Sequence, residues 1–175
     1  EIAEEARALA LRLKADCLLS IGGGTTVGVA KAIALTTSLP IVAIPTTYSG
    51  SEMTQIWGLT TGKRKTTGVS HDVLPKIVIY DPELTISLPA FITGPSAINA
   101  MAHSVEALYV PGANPVTSLM AEEGIRALAH GLPIVVERPE DLEGRSEVFY
   151  GAYLAGAALA AVGTGLHHKI CHTLG

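Results

Sequence analysis

The sequence has little that points to a secreted or membrane protein. Its only two cysteines, Cys17 and Cys171, do not suggest a disulfide framework and favour a reducing, cytoplasmic setting. The apolar run of residues 148–162 is broken by glycines and is too short for a membrane span, so we expect a buried helix and no membrane partner. A net charge of −4 lacks the basic excess of proteins that bind nucleic acid.

The chain has 175 residues, of which 48% are hydrophobic, and this fits one ordinary domain or one domain plus part of another. Residue 1 falls inside a predicted helix over residues 1–14, and residue 175 directly follows another predicted helix. An open α/β sheet needs partners for its strands, and only two parallel strands are predicted between them. We therefore expect an internal portion of a longer protein.

A glycine-rich turn is the feature around which the first part of the chain is organised. A predicted buried strand, residues 16–21, ends in Gly22, Gly23 and Gly24, and a helical pattern follows over residues 25–36. Such a turn leaves backbone N–H groups at a helix N-terminus, where they can bind a phosphate. The spacing matches neither G-x-G-x-x-G nor the P-loop, so a plain strand-to-helix turn stays equally open.

The next elements complete a β-α-β unit. A second apolar strand is predicted over residues 39–44, and the loop P-T-T-Y-S-G-S-E follows it at residues 45–52. Ligands bind at the carboxyl edge of parallel sheets, which favours a ligand loop over a solvated turn. A β-hairpin is then predicted over residues 55–67, which alternate loosely on both sides of Gly62-Lys63, and a short strand is predicted over residues 76–80.

The pattern becomes helical after a predicted boundary near residues 89–93, which gives an α/β domain over residues 1–92 and an all-α domain over residues 93–175. This second part contains four predicted helices and a charged loop. The helices cover residues 95–109, 118–130 (with a stop at 131–133), 149–162 and 165–174, and the loop covers residues 138–146.

Two of the predicted helices each carry a polar pair on one face. Asn99 and His103 are four residues apart, as are His168 and His172, and Glu106 lies near the face of the first pair. Imidazoles at this spacing can share a metal ion or donate protons to a bound anion. The neutral amide oxygen of Asn99 is a poor metal ligand, which weakens the metal interpretation.

Five motifs, taken in order, resemble the iron-containing alcohol dehydrogenases, and within that superfamily the maleylacetate reductases. The motifs are S-I-G-G-G-T-T-V-G-V-A-K, P-T-T-Y-S-G-S-E-M-T, Y-D-P-E-L-T-I-S-L-P, N-A-M-A-H-S-V-E-A-L-Y and H-H-K-I-C-H-T-L-G. The resemblance implies a dehydroquinate-synthase-like fold, in which an α/β domain binds NADH or NADPH and an all-helical domain follows. It also implies a homodimer.

The resemblance assigns roles to particular residues. It places the cofactor pyrophosphate at the glycine turn and the riboses at the second loop, with Lys31 in support. The implied cofactor-binding residues are Gly22, Gly23, Gly24, Thr25, Thr26, Lys31, Thr46, Thr47, Tyr48 and Ser51.

The resemblance also implies the chemistry: reduction of maleylacetate, a small dicarboxylate, to 3-oxoadipate in the degradation of aromatic compounds. His103, His168 and His172 are the candidate catalytic residues, with His172 favoured for proton delivery. Asn99, His103 and Lys169 are expected to contact the substrate, whereas His167 is expected to face solvent.

Metal dependence is a separate question. Metal-dependent relatives have an aspartate where Asn99 stands, so only His103 and His168 remain as ligands, and metal-free reduction is favoured. Two alternatives stay open: a metal-dependent alcohol dehydrogenase, with iron or zinc, and a non-catalytic nucleotide-binding module.

Overall fold

The computed structural model describes residues 2–61 and 64–174, apart from the side chains of residues 61, 64, 65 and 172–174. It forms two compact units. The first comprises Glu1–Pro45 and Ser51–Tyr80, and the second comprises Thr46–Gly50 and Asp81–Gly175. The change between units after Tyr80 comes earlier than the boundary predicted near residues 89–93, and one short loop from the first half belongs to the second unit.

The first unit is built on a three-stranded parallel sheet. Its strands lie in the order β1-β2-β5 and pair in parallel register, with Leu18 opposite Ile41 and Val42 opposite Ile77. The predicted β-α-β unit and the short strand after the hairpin are therefore confirmed. The elements are α1 (Ile2–Arg12), β1 (Leu18–Gly22), α2 (Gly24–Thr37), β2 (Ile41–Pro45) and β5 (Ile77–Val78).

The core of this unit lies between β2 and α2. Ile41 and Ala43 of the central strand are fully buried and pack against Ala30 and Ala34 of the helix. The small alanines allow the helix axis to approach the sheet closely, and burial of this apolar surface stabilises the unit. The helix that follows the glycine turn is thus fixed firmly against the strand that ends at the second loop.

The predicted hairpin is confirmed as the antiparallel pair β3 (Ile56–Thr61) and β4 (Arg64–Val69). Its predicted turn, Gly62-Lys63, lies outside the described residues. Trp57 stands opposite Gly68, where a Cβ atom would come within 2.5 Å of the indole ring. Glycine at that position gives the indole room to lie over the neighbouring strand.

The second unit is helical. Its helices are α3 (Ala90–Ala107), α4 (Pro115–Glu137), α5 (Leu142–Val162) and α6 (Leu166–Leu174). The contact between α4 and α5 depends on small residues: a Cβ atom on Gly151 would lie 2.7 Å from Leu128 Cγ, and one on Gly131 would lie 2.9 Å from Val148 Cγ2. Glycine at these positions lets the two helices approach each other closely.

Several predicted helix ends were wrong. Helix α4 does not stop at residues 131–133 but continues through Gly131 and Pro133, since packing against α5 outweighs the local helix-breaking tendency of these residues. Helix α5 begins inside the predicted charged loop, where the Asp141 carboxylate accepts the Gly144 N–H at 2.8 Å and caps the helix. Helix α3 likewise begins at Ala90, before the predicted start.

No described helix combines the length and the apolar character that a membrane crossing requires. The apolar run at residues 148–162 belongs to α5, and many of its residues are buried in the helical unit, as predicted.

Candidate active site

The glycine turn of the first unit has the geometry of an anion site. Gly22 has φ +146°, and a Cβ atom there would overlap Thr26 Oγ1, so this position requires glycine. Gly23 is the N-cap of α2 and contributes no side-chain cap to the first turn. Thr25 and Thr26 are exposed beside it. The predicted pyrophosphate residues, Gly22, Gly23, Gly24, Thr25 and Thr26, therefore come together at one helix N-terminus, and they fit a phosphate group.

Lys31 has a different environment from that of an open ligand site. Its ammonium group is buried and lies within 3.0 Å of four protein oxygens: the carbonyls of Ser51, Thr54 and Ile56, and Thr54 Oγ1. Burial lowers the pKa of Lys31 to about 8, opposed by the nearby Glu52 carboxylate. These contacts anchor residues 51–56, which follow β2 in the chain, to α2. If Lys31 supports the cofactor as predicted, it would do so by holding these residues in place.

Glu52 is buried in the same cluster. Tyr80 Oη donates a hydrogen bond to Glu52 Oε1 at 2.8 Å, and burial raises the pKa of this carboxyl group. Lys31, Glu52 and Tyr80 thus form a polar cluster inside the first unit. It holds Ser51, a predicted cofactor residue, by its backbone.

The loop Thr46–Gly50 belongs to the second unit, where Tyr48 fixes it. The Tyr48 side chain is fully buried, its ring lies edge-on to Phe149 with centroids 5.0 Å apart, and its backbone N–H donates to Ser96 Oγ. Arg145 donates to its phenol oxygen at 3.0 Å. The side chain predicted to line the cofactor therefore faces the core, whereas Thr46 and Thr47 are half-buried and retain part of their surface.

The buried histidines of the second unit form its most distinctive polar group. His103 of α3 and His168 of α6 stack with ring centroids 4.3 Å apart and planes 26° apart. Among the described residues, His103 Nδ1 has no hydrogen-bond partner. Burial, reinforced by His168 and His167, lowers the pKa of His103 to about 3 against the opposing effect of Glu106. His103 is therefore neutral at physiological pH. A neutral imidazole can donate a hydrogen bond, but it does not readily give up its proton.

Glu106 is the partner of His168, a relationship that the sequence analysis did not find. Its Oε2 lies 2.5 Å from His168 Nδ1, and its Oε1 accepts the backbone N–H of His168 at 3.1 Å. Burial alone would raise the pKa of Glu106, but hydrogen bonds from Gly165 and His168 outweigh it and hold the pKa below its usual value. The only sequence signal was its position three residues after His103, on the same helical face.

The remaining predicted residues have diverse surroundings. Asn99 is half-buried on α3, one turn before His103, and Lys169 is exposed on α6. His167 is exposed, in agreement with the expectation, and its Nε2 lies 3.6 Å from Cys171 Sγ. His172 belongs to α6 by its backbone, but its side chain lies outside the described residues.

A metal centre is not assembled from the part of the chain that the structure describes. No three histidine, cysteine, aspartate or glutamate side chains among those residues are close enough together to hold an ion. The described donors therefore do not fit a metal, and no chemical step is assigned to one.

Two family models match this chain. Residues 1–82 match the family model described as iron-containing alcohol dehydrogenase, and residues 93–175 match that of the C-terminal part of the Fe-containing alcohol dehydrogenase family. The chain belongs to the iron-containing alcohol dehydrogenase family. This agrees with the α/β unit followed by a helical unit seen in the fold.

Among its relatives are maleylacetate reductases. The chain is 57% identical over 175 residues to the maleylacetate reductase of Burkholderia cepacia, covering 100% of this chain and 50% of that protein. It superposes with a TM-score of 0.97 and 49% identity on the structure of maleylacetate reductase from Agrobacterium tumefaciens, covering 99% of this chain and 50% of that one.

A more distant structure was solved with a cofactor. Sulfoacetaldehyde reductase from Bifidobacterium kashiwanohense in complex with NAD+ superposes with a TM-score of 0.92 and 28% identity, covering 98% of this chain and 52% of that one. The chain spans about half the length of the curated relatives that it matches.

Proposed function

We propose that the chain is part of an NAD(P)H-dependent reductase that converts maleylacetate to 3-oxoadipate. The observation that carries the proposal is the 57% identity to a maleylacetate reductase along all 175 residues. The paired histidines His103 and His168, with Glu106 beside them, supply groups suited to this chemistry. We assign the two units to the dehydroquinate-synthase-like architecture.

The first unit would hold the pyrophosphate of NADH or NADPH. The N-terminus of α2 offers uncapped N–H groups and the positive end of a helix dipole, and Gly22 lets the backbone come close to a phosphate. The related sulfoacetaldehyde reductase structure, solved in complex with NAD+, supports a nicotinamide dinucleotide as the cofactor. Bound there, the cofactor supplies hydride to the conjugated C=C bond of the substrate.

The second unit would supply hydrogen-bond donors and a proton. Addition of hydride to the alkene moves negative charge to the neighbouring ketone oxygen as an enolate, and the other alkene carbon then takes up one proton. Neutral His103 can donate a hydrogen bond to that oxygen. We assign proton delivery to His172, whose backbone is part of α6. The exposed ammonium of Lys169 offers one cation for a substrate with two carboxylates.

The test is NADH oxidation by the complete protein, with maleylacetate compared with simple aldehydes, each with and without chelator. We expect turnover of maleylacetate that the chelator does not change. Turnover confined to aldehydes, and abolished by chelator, would instead identify a metal-dependent alcohol dehydrogenase. NADH binding without turnover of any substrate would identify a nucleotide-binding module.

The role of His172 has its own experiment. We expect His172→Gln to slow single-turnover NADH oxidation with maleylacetate by about 100-fold, as loss of a general acid does. His130→Gln is the matched control, because His130 is exposed on α4. An unchanged rate in His172→Gln would remove this residue from the mechanism.

A further inference from the structure

The carboxylate of Glu106 accepts hydrogen bonds from groups at and near the start of α6. Its Oε1 accepts the backbone N–H of His168 at 3.1 Å and lies 3.4 Å from the hydroxyl of Tyr109. A backbone N–H can only donate, so Oε1 must act as an acceptor. The same carboxylate also accepts a backbone hydrogen bond from Gly165.

The second oxygen of Glu106 faces the imidazole of His168. Glu106 Oε2 lies 2.5 Å from His168 Nδ1, within a buried part of the helical unit. An ionised carboxylate has lone pairs but no proton, so the ring nitrogen opposite it must carry the hydrogen.

We propose that Glu106 is a positioning residue that fixes His168 in the tautomer with its proton on Nδ1. Any hydrogen bond that the His168 ring makes to a bound substrate is then made through Nε2, as in other carboxylate–histidine pairs. This inference rests on the proposed function for its catalytic consequence, although the tautomer itself does not depend on that function.

The absence of a side chain at Gly165 leaves space for the Glu106 carboxylate. A Cβ atom at Gly165 would lie 3.0 Å from Glu106 Oε1 and 2.8 Å from Tyr109 Oη. Any side chain there would push the carboxylate or the phenol away from the first turn of α6. The absence of a side chain just before α6 lets one carboxylate hold both the backbone and the ring of His168.

Replacement of Glu106 by Gln gives a sharp test. The backbone donors at Oε1 would hold the amide oxygen in that place, so the NH₂ group would take the Oε2 position and donate to His168 Nδ1. The imidazole would then have to accept at Nδ1 and carry its proton on Nε2. Glu106→Gln should therefore invert the tautomer with little change in side-chain shape.

The measurement is long-range ¹H–¹⁵N NMR of the histidine rings in the complete protein at mildly alkaline pH. The His168 signals are assigned by their absence in His168→Asn. We expect the Nδ1–H tautomer in the wild type and the Nε2–H tautomer in Glu106→Gln. Glu122→Gln is the matched control, because Glu122 is exposed on α4, and it should keep the wild-type pattern.

Two results would overturn the proposal: an Nε2–H tautomer in the wild type, or the same tautomer in the wild type and in Glu106→Gln. The wild-type spectrum decides the first point even where the variant folds poorly.

Activity is measured separately on the same proteins. We expect kcat for maleylacetate to fall by about 10- to 100-fold in Glu106→Gln, with KM for NADH unchanged. An unchanged kcat with an inverted tautomer would overturn the catalytic consequence. A wild-type protein that does not reduce maleylacetate would refute the proposed function and leave the NMR result intact.

Discussion

Arg145 and Tyr48 meet inside the helical unit although 97 residues separate them in the chain. Arg145 Nη1 donates to the phenol oxygen of Tyr48 at 3.0 Å, and both side chains are fully buried. The same phenol donates to Thr85 Oγ1, and Arg145 Nε donates to the carbonyl of Pro139. A loop that the sequence marks as ligand-binding is thereby fixed from its buried side.

The first prediction concerns this contact. Tyr48→Phe removes the acceptor of Arg145 Nη1 and leaves a buried guanidinium donor unpaired, so we expect the free energy of unfolding to fall by about 1–3 kcal/mol. Urea denaturation of the complete protein measures it. Tyr150→Phe is the control, since Tyr150 is 43% exposed. Equal stability of the two variants would show that the buried bond contributes nothing.

The second prediction concerns Lys31. Lys31→Met keeps much of the side-chain volume but removes the ammonium that donates to all four surrounding oxygens, which should destabilise the protein by about 1–3 kcal/mol or more. Hydrogen exchange at the Thr54 amide, which donates to Ser51 O, should become faster. Lys76→Met, at an exposed lysine, provides the comparison. Unaltered exchange in Lys31→Met would contradict the anchoring role.

The third prediction concerns Gly50. It has φ +73°, and a Cβ atom there would lie 3.3 Å from Gly156 Cα and 3.5 Å from His103 Nδ1. We expect Gly50→Ala to cost about 1–3 kcal/mol of unfolding free energy from backbone strain and crowding. Gly28→Ala is the control: it has open space inside α2 and should stabilise the protein by about 0.5–1 kcal/mol. Shifts of the same sign in thermal melts of the two variants would refute the prediction.

The fourth prediction concerns pH. His103 has an ordinary pKa of 6.5 in the unfolded chain and one of about 3 in the folded protein, mainly because it is buried. Between these values the unfolded chain binds a proton that the folded protein does not. The free energy of unfolding should therefore fall as the pH drops from 6.5 towards 3.

The measurement is urea denaturation across this pH range. Because the Gln side chain does not titrate, His103→Gln should lose less stability on acidification than the wild type does. His130→Gln, at an exposed position, should follow the wild-type curve. Parallel curves for the wild type and His103→Gln would show that His103 is not buried in its neutral form.

Local patterns predicted the elements of the first unit well. Apolar runs that end at Gly22 and Pro45 marked β1 and β2, and a loosely alternating stretch on both sides of Gly62 marked the hairpin. Each of these signals lies within a few residues of the element that it describes. The end of α4 was missed because Gly131 and Pro133 break an isolated helix, whereas here Gly131 packs against α5 and the helix continues.

The amino-acid sequence was enough to identify the glycine turn and the spacing of the histidines. Its motifs were also enough to identify the family. The three-dimensional packing was needed to show that Tyr48 faces the core and that Glu106 binds His168, 62 residues further along the chain. The physical reason is that a buried polar group is stable only with a partner, and that partner is chosen by the packing of helices far apart in sequence.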